Sequence, residues 1–167
     1  MAGLIAALAA LTVQKAAEWL AWVAGFGGIP LFLAFLVILA PVTEEPAKWL
    51  ARHWLRVPWG AAGLAFGVWE AVAKLGFLPW HAALPLGALG SLALHWGLGR
   101  LAGQLSPVAY ALAVAILLHA AFNLVGGGAL LAGAGLVAPA VVTLTLGGAL
   151  LVATRARAAG PSGNTSG

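Results

Sequence analysis

Glu44, Glu45, Lys48, Glu70, Lys74, His95, His119 and Asn123 stand inside stretches that are otherwise almost wholly apolar. On insertion scales an ionisable side chain at the centre of a hydrophobic span costs roughly 2.5–3.5 kcal/mol, so each needs a partner or a task. Their spacing groups them. Glu44 and Lys48 lie one helical turn apart with the acid first, the favourable order for a shared face, and Glu45 points one step around. Phe66, Glu70 and Lys74 fall on one face, as do His119 and Asn123. His95 has Ser91 a turn before it and Gly99 a turn after it. The chemistry such a set supports is hydrolysis. A sheltered carboxylate acts as a general base on water, and a His serves as acid or polarises a carbonyl. An Asn amide donates to the oxyanion of a tetrahedral intermediate. Alternatively Glu70, His95 and His119 form a two-His, one-carboxylate set suited to zinc with a fourth position for water, and Glu44 or Glu45 is then the base. The competing reading is structural: Glu44–Lys48 and Glu70–Lys74 as ion pairs, the two His as packing residues, and Asn123 as an interhelical hydrogen bond.

The elements that must position these residues follow from composition. Of 167 residues, 63% are hydrophobic and 7% charged, and the mean hydropathy is +1.03. No ordinary soluble domain could cover its surface with that balance. Without water, backbone groups must pair within the segment, and the Ala/Leu/Gly runs lack the alternation of a membrane barrel. The fold expected is therefore all-α, a polytopic transmembrane helix bundle of about six spans: 3–24, 29–54, 60–77, 82–102, 107–125 and 129–153, each near the length of roughly 20 residues that a bilayer requires. Residues 1–156 form one transmembrane domain, and 157–167 a polar, Gly/Ser-rich disordered tail. The first span carries Gln14, Lys15 and Glu18, which read as a local pair or as the mark of an interfacial helix. Pro41 and Pro46 predict a kink or a helix start in the second span.

Arg52 and Arg56, Arg100, and Arg155 and Arg157 follow alternate spans. The positive-inside rule then places the protein in the cell membrane with both termini cytoplasmic. Trp54, Trp59 and Trp80 sit at connectors, where interfacial aromatics belong, and His53 and His81 read as solvated interface residues. The net charge of +4 is scattered over helix ends, which is membrane topology and not a nucleic-acid surface. The chain has no Cys, which excludes disulfides and thiolate chemistry. An apolar N-terminus with no preceding Lys or Arg makes a poor signal peptide. Counted from the proposed cytoplasmic ends at 1.5 Å per residue, Glu44, Glu70, His95 and His119 come out roughly 10–18 Å deep. Four helices bring ionisable groups to a similar level, which scattered packing residues have no reason to do.

Four motifs carry a family resemblance: Glu44-Glu45-Pro46-Ala47-Lys48, Phe66-Gly67-Val68-Trp69-Glu70, His95 with Gly97 and Gly99, and His119-Ala120-Ala121-Phe122-Asn123. In this order the chain resembles the PrsW family of intramembrane proteases, within the CAAX-protease and bacteriocin-processing superfamily. The type II CAAX prenyl endopeptidase branch fits less well, since it has an Arg where this chain has Trp49 and a His where it has Glu70. The chain departs from the PrsW pattern in its short length and in Pro46. The resemblance implies a glutamate- or metal-dependent intramembrane endopeptidase acting on a membrane-anchored protein. Under it Glu45 is the first choice for the water-activating base, with Glu44 held toward Lys48. His95 and His119 position water or zinc, Glu70 orients one of them or joins the metal, and Asn123 supports the oxyanion. The rivals are a proton-coupled transporter and a non-catalytic scaffold that binds a partner helix.

Overall fold

A computed structural model describes residues 2–25, 28–77, 83–131 and 137–158. Their regular structure is entirely helical: α1 (Ala2–Val23), α2 (Gly28–Ala34), a π-helical stretch (Phe35–Leu39), α3 (Ala40–Leu55), α4 (Trp59–Phe77), α5 (Leu84–Ala102), α6 (Val108–Leu131) and α7 (Val137–Ala158). Trp80, His81 and the expected tail from residue 159 onward lie outside the described residues. Prolines punctuate the order. Pro58 and Pro107 immediately precede α4 and α6, and Pro41 and Pro85 stand in the first turns of α3 and α5. At Pro58, Pro85 and Pro107 a missing N–H costs nothing and the fixed φ suits a helix start, whereas Pro41 follows helical residues without a break. α3 ends at Arg56, which takes the left-handed conformation at φ 52°, a position more often given to Gly or Asn.

The second expected span is thus one helical path built of three pieces. The irregularity lies just upstream of Pro41, and α3 continues through Pro46. The π-helical stretch ends at Leu39, just before Ala40 and Pro41. The N–H of Ala40 bonds to Phe35 O, one residue further back than in an α-helix. In that register Leu36 O would look to the N–H of Pro41, which has none.

α1, α6 and α7 each contain a stretch long and apolar enough to cross a membrane: Leu4–Ala21, Val108–Gly126 and Val137–Arg155. The distribution of side chains agrees with a membrane protein. Leu8, Trp19, Ile38, Leu117 and Val152 are exposed, whereas Lys48, His95 and Glu45 are among the largest side chains fully enclosed. Apolar outside and polar inside is the arrangement lipid permits and water penalises. α1 packs on α3 and α4 through Ala6, Ala10, Ala51 and Phe66. It is a packed member of the bundle.

α5 is the central helix, gripped by α4 on one side and α7 on the other. The approach on the α4 side is set by Gly63, where an added Cβ would lie 2.2 Å from the carbonyl oxygen of His95. Backbone cannot yield as a flexible side chain does. Gly63→Val is therefore expected to destabilise the protein by about 1–3 kcal/mol or more, as overpacking does. Gly148→Ala, with nothing within 4 Å of the new Cβ, should leave the melting temperature in detergent almost unchanged. Equal melting temperatures for the two variants would contradict the α4–α5 contact.

Candidate active site

α3, α4, α5 and α6 each bring side chains to the middle of the bundle. From α3, Glu45 and Lys48 pair at 2.6 Å, both 1% exposed. Lys48 Nζ also lies 2.7 Å from His95 Nδ1 and 4.4 Å from the centroid of the Phe66 ring. From α6, His119 Nδ1 is 2.8 Å from Glu45 Oε1. From α4, Glu70 Oε2 lies 2.5 Å from His95 Nε2, and its other oxygen is 2.8 Å from Lys74. Lys74 in turn donates to Ser91 Oγ, one turn before His95 on α5. Phe66, Glu70 and Lys74, the face expected of the third span, are all turned to His95 or its neighbours.

These contacts fix the ring protons. An ammonium only donates. Lys48 therefore makes His95 Nδ1 an acceptor, and the His95 proton sits on Nε2 and is given to Glu70. His119 has the opposite tautomer. Its Nδ1–H is donated to the Glu45 carboxylate, so Nε2 carries a lone pair. That lone pair is 3.9 Å from Glu44 Oε2, and His95 Nε2 is 4.0 Å from the same oxygen. The two imidazoles meet edge to face at 5.1 Å.

Glu44 is held from the other side by α1. Gln14 Nε2 donates to Glu44 Oε1 at 3.1 Å and to Thr43 Oγ1 at 3.0 Å. The reading of Gln14 as part of a local group on the first helix is corrected by this contact. It is a site residue the sequence analysis missed, and the one signal was an amide in mid-helix among apolar neighbours. A second correction concerns Lys48. Its partner is Glu45 and not Glu44, because its side chain is drawn inward to Phe66 and His95, on the side Glu45 faces.

Asn123, a turn beyond His119, donates Nδ2–H to Leu36 O at 2.7 Å. It takes the carbonyl that Pro41 leaves without a π-helical partner, so one of its two amide hydrogens serves the fold. Glu45 Oε2 is buried with no hydrogen-bond partner.

Of the zinc set read from the sequence, His95 and His119 are adjacent, but the carboxylate that completes a triad of ligand atoms within 4.8 Å is Glu44. Glu70 instead occupies His95 Nε2. The donor types suit zinc. The arrangement does not, because His95 turns an N–H and not a lone pair toward the centre, with the Lys48 ammonium on its other nitrogen. A water between Glu44 Oε2 and His119 Nε2 can donate one hydrogen to each, since both lie within reach of a single oxygen at about 2.8 Å. His53 is exposed at the end of α3, away from this cluster. No family model, curated protein or solved structure matches the chain.

Proposed function

We propose that the chain is a multi-pass membrane endopeptidase of the PrsW type that hydrolyses a peptide bond of a membrane-tethered protein. The observation that carries the proposal is the convergence of Glu44, His95 and His119 from three helices, with Glu45 and Glu70 bonded to the two imidazoles. In this scheme Glu44 is the base in place of Glu45. Glu45 is committed to Lys48 and His119, while Glu44 has one oxygen aimed at the centre and is the less buried of the two, at 14% against 1%.

The water donates one hydrogen to Glu44 and the other to His119 Nε2. Glu44 removes its proton as the water oxygen bonds to the carbonyl carbon. The tetrahedral intermediate collapses with cleavage of the C–N bond, and the proton held by Glu44 passes to the departing amine. Glu45 keeps His119 in the tautomer that accepts, the orienting role a carboxylate plays behind a His in hydrolases. Glu70 and Lys48 fix the ring of His95, which walls the site. The test is cleavage of a membrane-anchored reporter protein by the purified enzyme in proteoliposomes. His119→Ala should abolish it, and a His119→Ala variant that cleaves at the wild-type rate would remove the proposal.

The same proposal takes α1, the α2–α3 path, α4, α5, α6 and α7 as six crossings. It sets both termini and the connector between α3 and α4 in the cytoplasm, where Arg52, Arg56, Arg100 and Arg155 gather. Reporter fusions at the two termini should both report cytoplasmic. A C-terminus found outside would reverse the orientation, and termini on opposite sides would mean an odd number of crossings.

A further inference from the structure

At the end of the bundle remote from Lys74, the start of α4 and the end of α5 enclose a cavity of about 520 Å³ lined by Arg52, Trp59, Gly60 and Arg100. Beside it, along the α3–α4 connector, lies another of about 730 Å³, lined by Arg52, Trp54 and Arg56. Among the described residues no carboxylate lines either.

Of the side chains that line the first cavity, Arg52 donates Nε–H to Val57 O and Gln104 donates to Thr154 O, while two buried donors beside it have no acceptor. Trp59 is 4% exposed, and its Nε1–H is buried with no partner, as is Nε–H of Arg100. The Arg52 guanidinium stacks 5.6 Å from the Trp59 ring centre. Gly60 makes room for Arg100: an added Cβ would stand 3.0 Å from Arg100 Cγ. At the mouth of the second cavity Arg56 is held in a left-handed conformation that Gly would take without cost. Unpaired buried donors beside guanidinium groups are unfavourable alone and suit an oxyanion with several acceptor oxygens.

We propose that this cleft binds the phosphate of an anionic phospholipid headgroup. A soluble phosphate compound has the same recognisable group. The lipid is favoured by position, because the cleft lies at a helix-end level beside the exposed Trp54, where headgroups meet a membrane protein; Trp59, expected at the interface, is instead buried. The proposal rests on the chain being embedded in a bilayer and is independent of the hydrolytic site.

The test uses the full-length protein in neutral detergent with added phosphatidylglycerol, phosphatidylcholine or sodium phosphate, read by melting temperature and by lipid retention in native mass spectrometry. Phosphatidylglycerol should be retained and raise the melting temperature, whereas phosphatidylcholine and millimolar phosphate should not. Arg100→Gln and Trp59→Phe should each weaken phosphatidylglycerol retention roughly tenfold, the loss of about one charge-assisted hydrogen bond. Trp59→Phe keeps an aromatic ring and deletes the unpaired donor together with part of the buried indole, so its melting temperature without lipid should fall modestly. Its lipid retention and its lipid-induced shift, read against its own lipid-free baseline, carry the test if Arg100→Gln fails to fold. Equal effects of the two lipids, or phosphatidylglycerol retention unchanged in Trp59→Phe, would overturn the proposal. Protection by phosphate equal to that by phosphatidylglycerol would overturn the lipid as the source and give the site to a soluble phosphate compound.

Discussion

Glu44→Gln should slow cleavage of a membrane-anchored substrate by about 10²–10⁴-fold, the range general base catalysis supplies, while the protein stays folded. The fold survives because the amide oxygen of Gln can still accept from Gln14, as Glu44 Oε1 does at 3.1 Å. Glu45→Gln should also be inactive, but for a different and measurable reason. Glu45 Oε1 accepts from both Lys48 and His119, so its loss strips a buried cation of its counter-charge and frees the His119 ring. Melting temperature therefore separates the two: near wild type for Glu44→Gln, clearly lowered for Glu45→Gln. A folded Glu44→Gln enzyme with wild-type turnover would remove Glu44 as the base. Chelators should leave the wild-type rate unchanged, since Lys48 and Glu70 occupy both nitrogens of His95. Stoichiometric metal in the purified protein, lost in His119→Ala, would restore the zinc scheme.

The second large effect is on stability. Lys48→Met should cost about 3–5 kcal/mol, the range for breaking a buried ion pair from one side. It leaves the Glu45 carboxylate at 1% exposure with one oxygen already unpartnered, and it deprives His95 Nδ1 of its donor. The Glu45→Gln/Lys48→Met double variant removes both charges, so its loss should fall well short of the sum of the single losses. Unfolding titrations in mixed detergent micelles measure all three. Additive losses, or a Lys48→Met protein as stable as wild type, would show that the two side chains do not act as a buried pair.

Much of this arrangement is legible in the amino-acid sequence because lipid simplifies the rules. Charged residues in apolar runs declare themselves, and most helix boundaries follow the prolines, so that each of the six expected stretches corresponds to a helix or a helical path. The exception is the Gly126–Gly128 run, expected to end the fifth stretch, through which α6 continues to Leu131 before α7 begins at Val137. The grouping of Phe66, Glu70 and Lys74 followed from spacing alone. The choice of partner for Lys48 did not. On a helix both the third and the fourth preceding residue are within reach, and what decides between Glu44 and Glu45 is the ring of Phe66 and the Nδ1 of His95, on other helices. Gln14 escaped for a related reason. Its task depends on α1 lying against α3, and nothing local to α1 states that. The π-helical stretch was hidden too, since Pro41 announces a helix start but not the slip in hydrogen-bond register just before it.

The link from Gln14 to Glu44 also bears on how the chain is made. A protein synthesised from its N-terminus delivers α3, with two carboxylates and an ammonium, long before either histidine exists. At that moment Glu45 already has Lys48 on its own helix, and Glu44 and Thr43 already have Gln14 waiting on α1. On the multi-pass reading proposed above, the costliest residues of the site thus enter the bilayer as a hydrogen-bonded hairpin in which Glu45 is charge-paired and Glu44 is capped by an amide, and α5 and α6 later add their imidazoles to a half-built centre.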